Sequence, residues 1–357
     1  MMHSSLDSFL SAISGLRQHI SNSAKKNALL DKADALPDAT ADMKVDIEAL
    51  RNTRNDEKLF DYTVIIITLY GRYETFIEQI IKEYVRELKA ANYHFSVLPK
   101  RLRDGYFSKV VRLYSKIEWE KYGHIGEKTI SKSLYESLNM DVQNLLPEAF
   151  YTNAGNYKIQ ILSDTLSELG IENSKETICK YPPLMGYYTG KHGKTFNISA
   201  VDADILYSLV DEVVETRNKI AHTGRVDDLK DSTYVEDMIV FFEKFAESLN
   251  MLFQDNLYLI KWNSSAEPAF KPVNVFEKIG VAGFKRANMS IDLNQHYLCK
   301  SPTGIFPMFI ESKIMGIHIG NEEYIHCILT EDNPKGVGIK INHKATEGCE
   351  FKFLKRR

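Results

Sequence analysis

From Leu59 onward, apolar side chains recur every three or four residues: Leu59, Phe60, Val64, Ile67, Leu69, Tyr73, Phe76, Ile77, Ile80, Ile81 and Val85. That spacing gathers them on one side of a helix and predicts a long amphipathic helix over 58–92. Phe9, Leu10, Ile13 and Leu16 predict a short helix over 5–22, and the polar stretch 23–57 predicts a helical hairpin with a loop. Pro99 interrupts the period, which resumes over 101–121, 129–150 and 156–169. The Pro- and Gly-dense stretch YPPLMGYYTGKHGKTF, 181–196, reads as a loop. Ser199 to Asp202 forms a capping box for a helix reaching about His222 and closed by Gly224. A second box, Thr233 to Glu236, opens a helix through about residue 253.

After Asp255 the period shortens. LYLIKW, HYLCK, FPMFIESKIMGIHIG, YIHCILT, GVGIKI and CEFKFLK are β-branched and aromatic runs. NEE, EDNPKG and KATEG divide them as turns. The expected fold is therefore a mainly α helical bundle followed by a small β-rich C-terminal domain, a barrel or curved sheet, α+β overall. The expected divisions are an N-terminal helical extension at 1–57, the bundle at 58–254 and the β-rich domain at 255–357.

Bulk properties narrow the class. The chain has 357 residues, 44% hydrophobic and 26% charged, as in ordinary folded proteins. No apolar run approaches a membrane span, and MMHSSLDSFL carries no basic segment leading into an apolar one. We expect no membrane partner and a cytoplasmic location. Cys179, Cys299, Cys327 and Cys349 are too scattered for a metal cluster, and His296, His318, His326 and His343 show no ligand-like grouping. We expect no metal and no cofactor.

One short stretch conflicts with its surroundings. ETRNKIAHTG, 215–224, ends an apolar-periodic helix yet holds Arg217, Asn218 and His222. On a helical wheel Arg217 falls within the apolar stripe, while Asn218 and His222 lie four residues apart on the other side. A buried cation needs a carboxylate or an anionic ligand, and Glu74 on the long helix is a candidate ion-pair partner. His222 lies at a helix C-terminus, where the dipole favours the imidazolium, which suits proton transfer. The bland alternative is a structural arginine and a C-capping histidine.

RNKIAH resembles the Arg-x4–6-His signature of HEPN-superfamily ribonucleases, helical-bundle proteins common among bacterial toxins and phage-defence effectors. Asn218 matches the usual polar residue after the arginine. LYGRYETFIEQIIKEY, 69–84, resembles the opening helix of the RiboL-PSP-type HEPN branch, and the resemblance covers about 58–254. It implies a metal-independent endoribonuclease that cleaves RNA by 2′-OH attack at a dimer interface, with Arg217 and His222 catalytic and Asn218 orienting His222 or the phosphate. It also implies RNA and a second copy of the chain as partners, with an antitoxin or trigger protein as a possible third. The alternatives left open are a non-catalytic helical scaffold or RNA-binding module with a structural Arg217, and nucleotidyl-transfer or nucleotide-binding chemistry in the same cleft.

Two other stretches bear on chemistry. LPKRLRDGYFSKVVRLYSK, 98–116, sets Lys100, Arg101, Arg103, Lys109, Arg112 and Lys116 against Asp104 alone, with Tyr106, Phe107 and Tyr114 between them. Such a stretch suits an RNA strand, with cations on the phosphates and rings on the bases, or equally a solvated helix face over buried rings. GYYTGKHGKT fails as a phosphate loop, because Tyr188 stands where the first glycine belongs.

Overall fold

The computed structural model describes residues 4–33, 40–91, 93–139, 145–151, 155–285, 289–329, 336–343 and 345–354. In chain order its α-helices are α1 (Ser4–Lys32), α2 (Ala41–Asn52), α3 (Arg54–Ala90), α4 (Lys100–Tyr114), α5 (Glu127–Asn139), α6 (Ile159–Glu168), α7 (Ser174–Ile178), α8 (Pro182–His192), α9 (Ala203–Leu206), α10 (Ser208–Thr223) and α11 (Ser232–Ser264). The strands follow: β1 (Asn274–Phe276), β2 (Val281–Phe284), β3 (Met289–Asp292), β4 (His296–Lys300), β5 (Phe309–Lys313), β6 (Gly316–Ile319), β7 (Glu322–Tyr324), β8 (His326–Leu329), β9 (Val337–Lys340) and β10 (Glu350–Phe353). The expected mainly helical fold with a small β-rich C-terminal region is the observed one.

α3 is the axis of the bundle. Its buried side carries Tyr62, Ile66, Leu69, Tyr73, Ile77, Ile80, Ile81 and Tyr84, packed against α1, α10 and α11. Phe9 of α1 stacks on Phe76 at 4.9 Å between ring centroids, and Ser5 donates to Glu83 through its backbone N–H and hydroxyl at 2.8 and 2.9 Å. α1 is thus part of the main core, and it runs ten residues beyond the short helix expected at 5–22. The boundary expected at residue 57 falls inside α3.

The stripe read from the sequence is out of phase at the start of α3. Leu59, Phe60, Val64 and Ile67 are exposed, while Tyr62, Ile65 and Ile66 are buried. Four consecutive apolar residues, Val64 to Ile67, surround the helix on every side, so spacing alone does not select the inner face.

Further expectations give way. The loop at 181–196 is largely α8, with Pro182 and Pro183 in its first turn, where proline has no N–H to leave unpaired. Leu184 and Tyr188, four apart, bury against α11, and the Leu184 N–H donates to Ser248 Oγ at 3.0 Å. The helix expected from Ser199 to His222 breaks at Tyr207 into α9 and α10, which leaves Ile205 exposed. LYLIKW is no strand, because α11 continues through it to Ser264 and turns Trp262 onto Phe309 of β5. Asp231, two residues before Thr233, caps α11 by accepting from the Tyr234 N–H at 2.8 Å. Of the helix expected over 129–150, the described residues hold α5 as far as Asn139 and, at Pro147–Phe150, a short turn of 3-10 helix, while 140–144 lie outside the described residues.

Among the described residues the β region forms three antiparallel sheets, ordered β1-β2-β9-β6-β7, β10-β4-β5 and β3-β8. They share one core, in which Phe284, Ile291, Tyr297, Ile317, Ile339, Phe351 and Phe353 meet. NEE, expected as a turn, supplies the start of β7, and most of EDNPKG lies outside the described residues.

Asp255 of α11 ties this region to the bundle. Its carboxylate accepts from Tyr181 Oη at 2.7 Å and from the Met308 and Phe309 N–H groups at 2.6 and 2.9 Å. Burial pushes its carboxyl up to about 6, although the three donors oppose the shift. Among the described residues no helix is long and apolar enough to cross a membrane.

Asp255→Ala leaves three buried donors without an acceptor, and urea unfolding should show a loss of about 3 kcal/mol, roughly one per donor. The raised carboxyl also sets a sign. The folded chain holds this proton more tightly than an unfolded one titrating near 3.8, so stability falls as pH rises from about 4 to about 6. Asp255→Asn should flatten that slope in melts taken across the same range.

Candidate functional site

α10 packs along α3, and the sequence RNKIAH forms its last turns. Gly224 closes the helix at φ 65° and donates to the Ile220 carbonyl at 2.8 Å. Val210, Val213, Val214 and Ile220 are buried, while Ala221 and His222 are exposed. Arg217 and Asn218 are half-buried between these extremes.

The guanidinium of Arg217 lies over the ring of Tyr70, 4.3 Å from its centroid. Its Nη1 donates to Asn218 Oδ1 at 2.9 Å and to Asn156 Oδ1 at 3.4 Å. Arginine offers only donors, so both amides must turn their oxygens toward it. Among the described residues these are the only hydrogen bonds of the guanidinium, and Nε and Nη2 keep theirs to give.

Glu74 is not the counter-ion expected from the sequence. Among the described residues no ion pair joins it to Arg217. It lies beside the Tyr70 hydroxyl instead and, after burial, is the next cause that pushes that hydroxyl up to about 12. A half-buried guanidinium keeps part of its hydration, so an aromatic face and two amide oxygens suffice where full burial would demand a carboxylate. Asn218 likewise spends its oxygen on Arg217 rather than on His222.

Sequence reasoning missed Asn156 and Tyr70. Asn156 sits in the left-handed region at φ 59°, and its N–H donates to Tyr70 Oη at 3.0 Å. The next residues are tied down as well. Tyr73 Oη donates to the Tyr157 carbonyl at 3.0 Å, Lys158 pairs with Glu215 at 2.6 Å, and the Ile159 N–H donates to Asp211 Oδ1 at 2.8 Å. Gly155-Asn156 carries a turn signal, since asparagine tolerates left-handed backbone, but nothing local names its partner 61 residues away.

The basic stretch forms α4 and one wall of a groove of about 730 Å³, faced by Glu168, Gly170 and Glu172. Most of its cations are engaged. Lys100 pairs with Asp104, Arg101 with Glu172 at 3.6 Å, and Arg103 Nε donates to the Leu98 carbonyl at 3.0 Å. Lys109 is buried against Glu168 and Phe150, and so cannot follow a phosphate backbone. Lys116 lies over the Trp119 ring at 4.8 Å. Arg112 is exposed, as are Phe107 and Tyr114, whereas Tyr106 is core and bonds Ser133 and the Leu146 N–H.

Among the described residues no three His, Cys, Asp or Glu side chains converge as a metal site. The four cysteines are buried free thiols.

The family model described as RiboL-PSP-HEPN matches residues 39–255, a span that holds α2 to α10 and most of α11. No curated protein and no solved structure matches the chain.

Glu168→Gln removes the counter-charge from a cation that stays buried. Its cost should be about 2 kcal/mol in urea unfolding, below the 3–5 kcal/mol typical of an enclosed pair, because the Glu168 side chain is 42% exposed.

Proposed function

The chain belongs to the RiboL-PSP-HEPN family, and from that premise we propose that it is a metal-independent endoribonuclease whose site is shared by two copies. One observation carries the reading: Arg217 keeps its charge with no carboxylate partner among the described residues, at the end of a helix whose exposed last turn holds His222.

Attack of a ribose 2′-OH on its own phosphate needs a base for the hydroxyl proton, an acid for the leaving 5′-oxygen and positive charge on the phosphorane. One chain supplies one histidine in this motif. A twofold axis through the site supplies two, one as base and one as acid, with two guanidinium forks on the phosphate between them. The products are a 2′,3′-cyclic phosphate and a 5′-hydroxyl. Of the exposed cations of α4, Arg112 can meet RNA directly, Lys100 and Arg101 would exchange their surface carboxylates for phosphates, and Phe107 and Tyr114 are able to stack on bases. The setting suggested by the family is a toxin or phage-defence effector, restrained by an antitoxin or released by a trigger protein.

A second reading is favoured by the internal contacts of Arg217. Tyr70, Asn156 and Asn218 hold it as they would a structural arginine in a non-catalytic scaffold or RNA-binding module.

Expression under a tight promoter separates the two readings. Wild type should arrest growth and fragment RNA. His222→Ala should lose at least about 100-fold in cleavage, and Arg217→Ala about 100- to 1000-fold. The scaffold reading prevails if wild type leaves growth and RNA intact. Cleavage by purified protein should persist in EDTA, and strict magnesium dependence refutes the proton-transfer route. Mixing wild type with His222→Ala should lower activity as the square of the wild-type fraction. A linear fall means that each chain works alone.

A further inference from the structure

We infer that Tyr70 and Asn156 are positioning residues for Arg217, and that together they aim the Nε–Nη2 edge of its guanidinium at an anionic oxygen pair of the bound phosphodiester. The consequence for cleavage rests on the ribonuclease reading above, whereas the geometry does not.

A guanidinium has two edges that grip a phosphate in bidentate fashion, Nη1–Nη2 and Nε–Nη2. In this site Nη1 is committed twice, to Asn218 Oδ1 at 2.9 Å and to Asn156 Oδ1 at 3.4 Å. Only the Nε–Nη2 edge keeps both donors. The Tyr70 ring, 4.3 Å from the guanidinium carbon, covers one face of the plane and fixes its tilt. Ring and amide are not independent, because the Tyr70 hydroxyl accepts from the Asn156 N–H at 3.0 Å. One residue of α3 and one of the 155–158 turn therefore form a two-sided brace around a side chain of α10.

The brace is rigid for local reasons. The Tyr70 side chain is almost wholly buried. The turn is anchored at Tyr157, Lys158 and Ile159 to α3 and α10. Asparagine at φ 59° accepts this backbone more readily than most residues and brings the oxygen that alanine lacks. A free arginine side chain loses rotamer entropy when it is ordered. Here that loss is incurred during folding, before substrate arrives.

The test compares Tyr70→Leu, Tyr70→Phe and Asn156→Gly, the last keeping the left-handed backbone while deleting the amide. With RNA as substrate, Tyr70→Leu should lower kcat about 10- to 100-fold, as expected for a misaimed group, and Tyr70→Phe should recover most of it by keeping the ring. Asn156→Gly should lose about tenfold. In an Arg217→Lys background, which has no fork to aim, neither change should cost more than about twofold. Losses that multiply in full in that background overturn the proposal, as does a Tyr70→Leu enzyme as fast as wild type. If Tyr70→Leu does not fold, Tyr70→Phe and Asn156→Gly decide in the same cycle. A second readout needs no cleavage. The Arg217 Nε–Hε NMR signal should be shifted by the Tyr70 ring current in wild type and Tyr70→Phe. An unshifted wild-type signal overturns the proposal. A wild type that cuts no RNA but shows the shift refutes the ribonuclease reading and leaves the brace standing.

Discussion

The structure turns on how one half-buried cation is compensated. A guanidinium taken partly out of water loses hydration and must recover it from something. The bundle has two solutions to this problem, and they differ in what they leave behind. Lys109 is buried against a carboxylate, Glu168, and the pair is close to neutral. Arg217 is laid on the Tyr70 ring and given two amide oxygens, and its charge remains whole. A cation on a ring recovers roughly 0.5–2 kcal/mol, and each hydrogen bond to a charged donor about 1.5–3 kcal/mol. Those magnitudes suffice for half-burial and would fail for full burial. The degree of exposure and the choice of uncharged partners are therefore one feature, and it leaves the guanidinium with no ion pair among the described residues.

The same contrast explains what the sequence revealed. RNKIAH stood out because a cation interrupted an apolar stripe, and the structure places that cation at the edge of the core, where an interruption can be tolerated. The basic stretch of α4 stood out by composition, yet composition does not show partners. Glu168 and Glu172, which engage Lys109 and Arg101, lie more than fifty residues farther along the chain. Glu74 failed as a counter-ion for a related reason. Helical periodicity fixes which side of α3 a residue faces, but not whether a neighbouring ring reaches the guanidinium first. Pro182 and Pro183 were misread because proline breaks a helix interior and favours its first turn, and only tertiary packing of Leu184 and Tyr188 shows which case applies. Asn156 was invisible because its role exists only once α3 and α10 are side by side.

α11 joins the two cores. Its first half packs in the bundle with α8, α1 and α3, and its last turns pack on β5. The joint is polar at its centre, where Asp255 gathers Tyr181 from the bundle and two backbone amides of the β region. Hydrogen bonds to a carboxylate are directional, so the joint fixes orientation as well as proximity. The apolar contacts beside it, Trp262 with Phe309 and Tyr181 with Phe306, add adhesion with less angular demand. A swing of the β region about α11 would have to break the directional set first.

Amide orientation carries the chemistry of the site one step further. Which end of an asparagine is oxygen follows from its partners, and Arg217 can only donate. Both neighbouring amides therefore face it with oxygen, and Asn218 is left with its NH2 group to offer outward. Arg217 Nε and Nη2 are donors as well. Among the described residues, the polar groups that Arg217 and the Asn218 amide still have to give on that edge are then N–H donors. Donors left open in this way select a ligand that brings acceptors, and an anion brings them most readily.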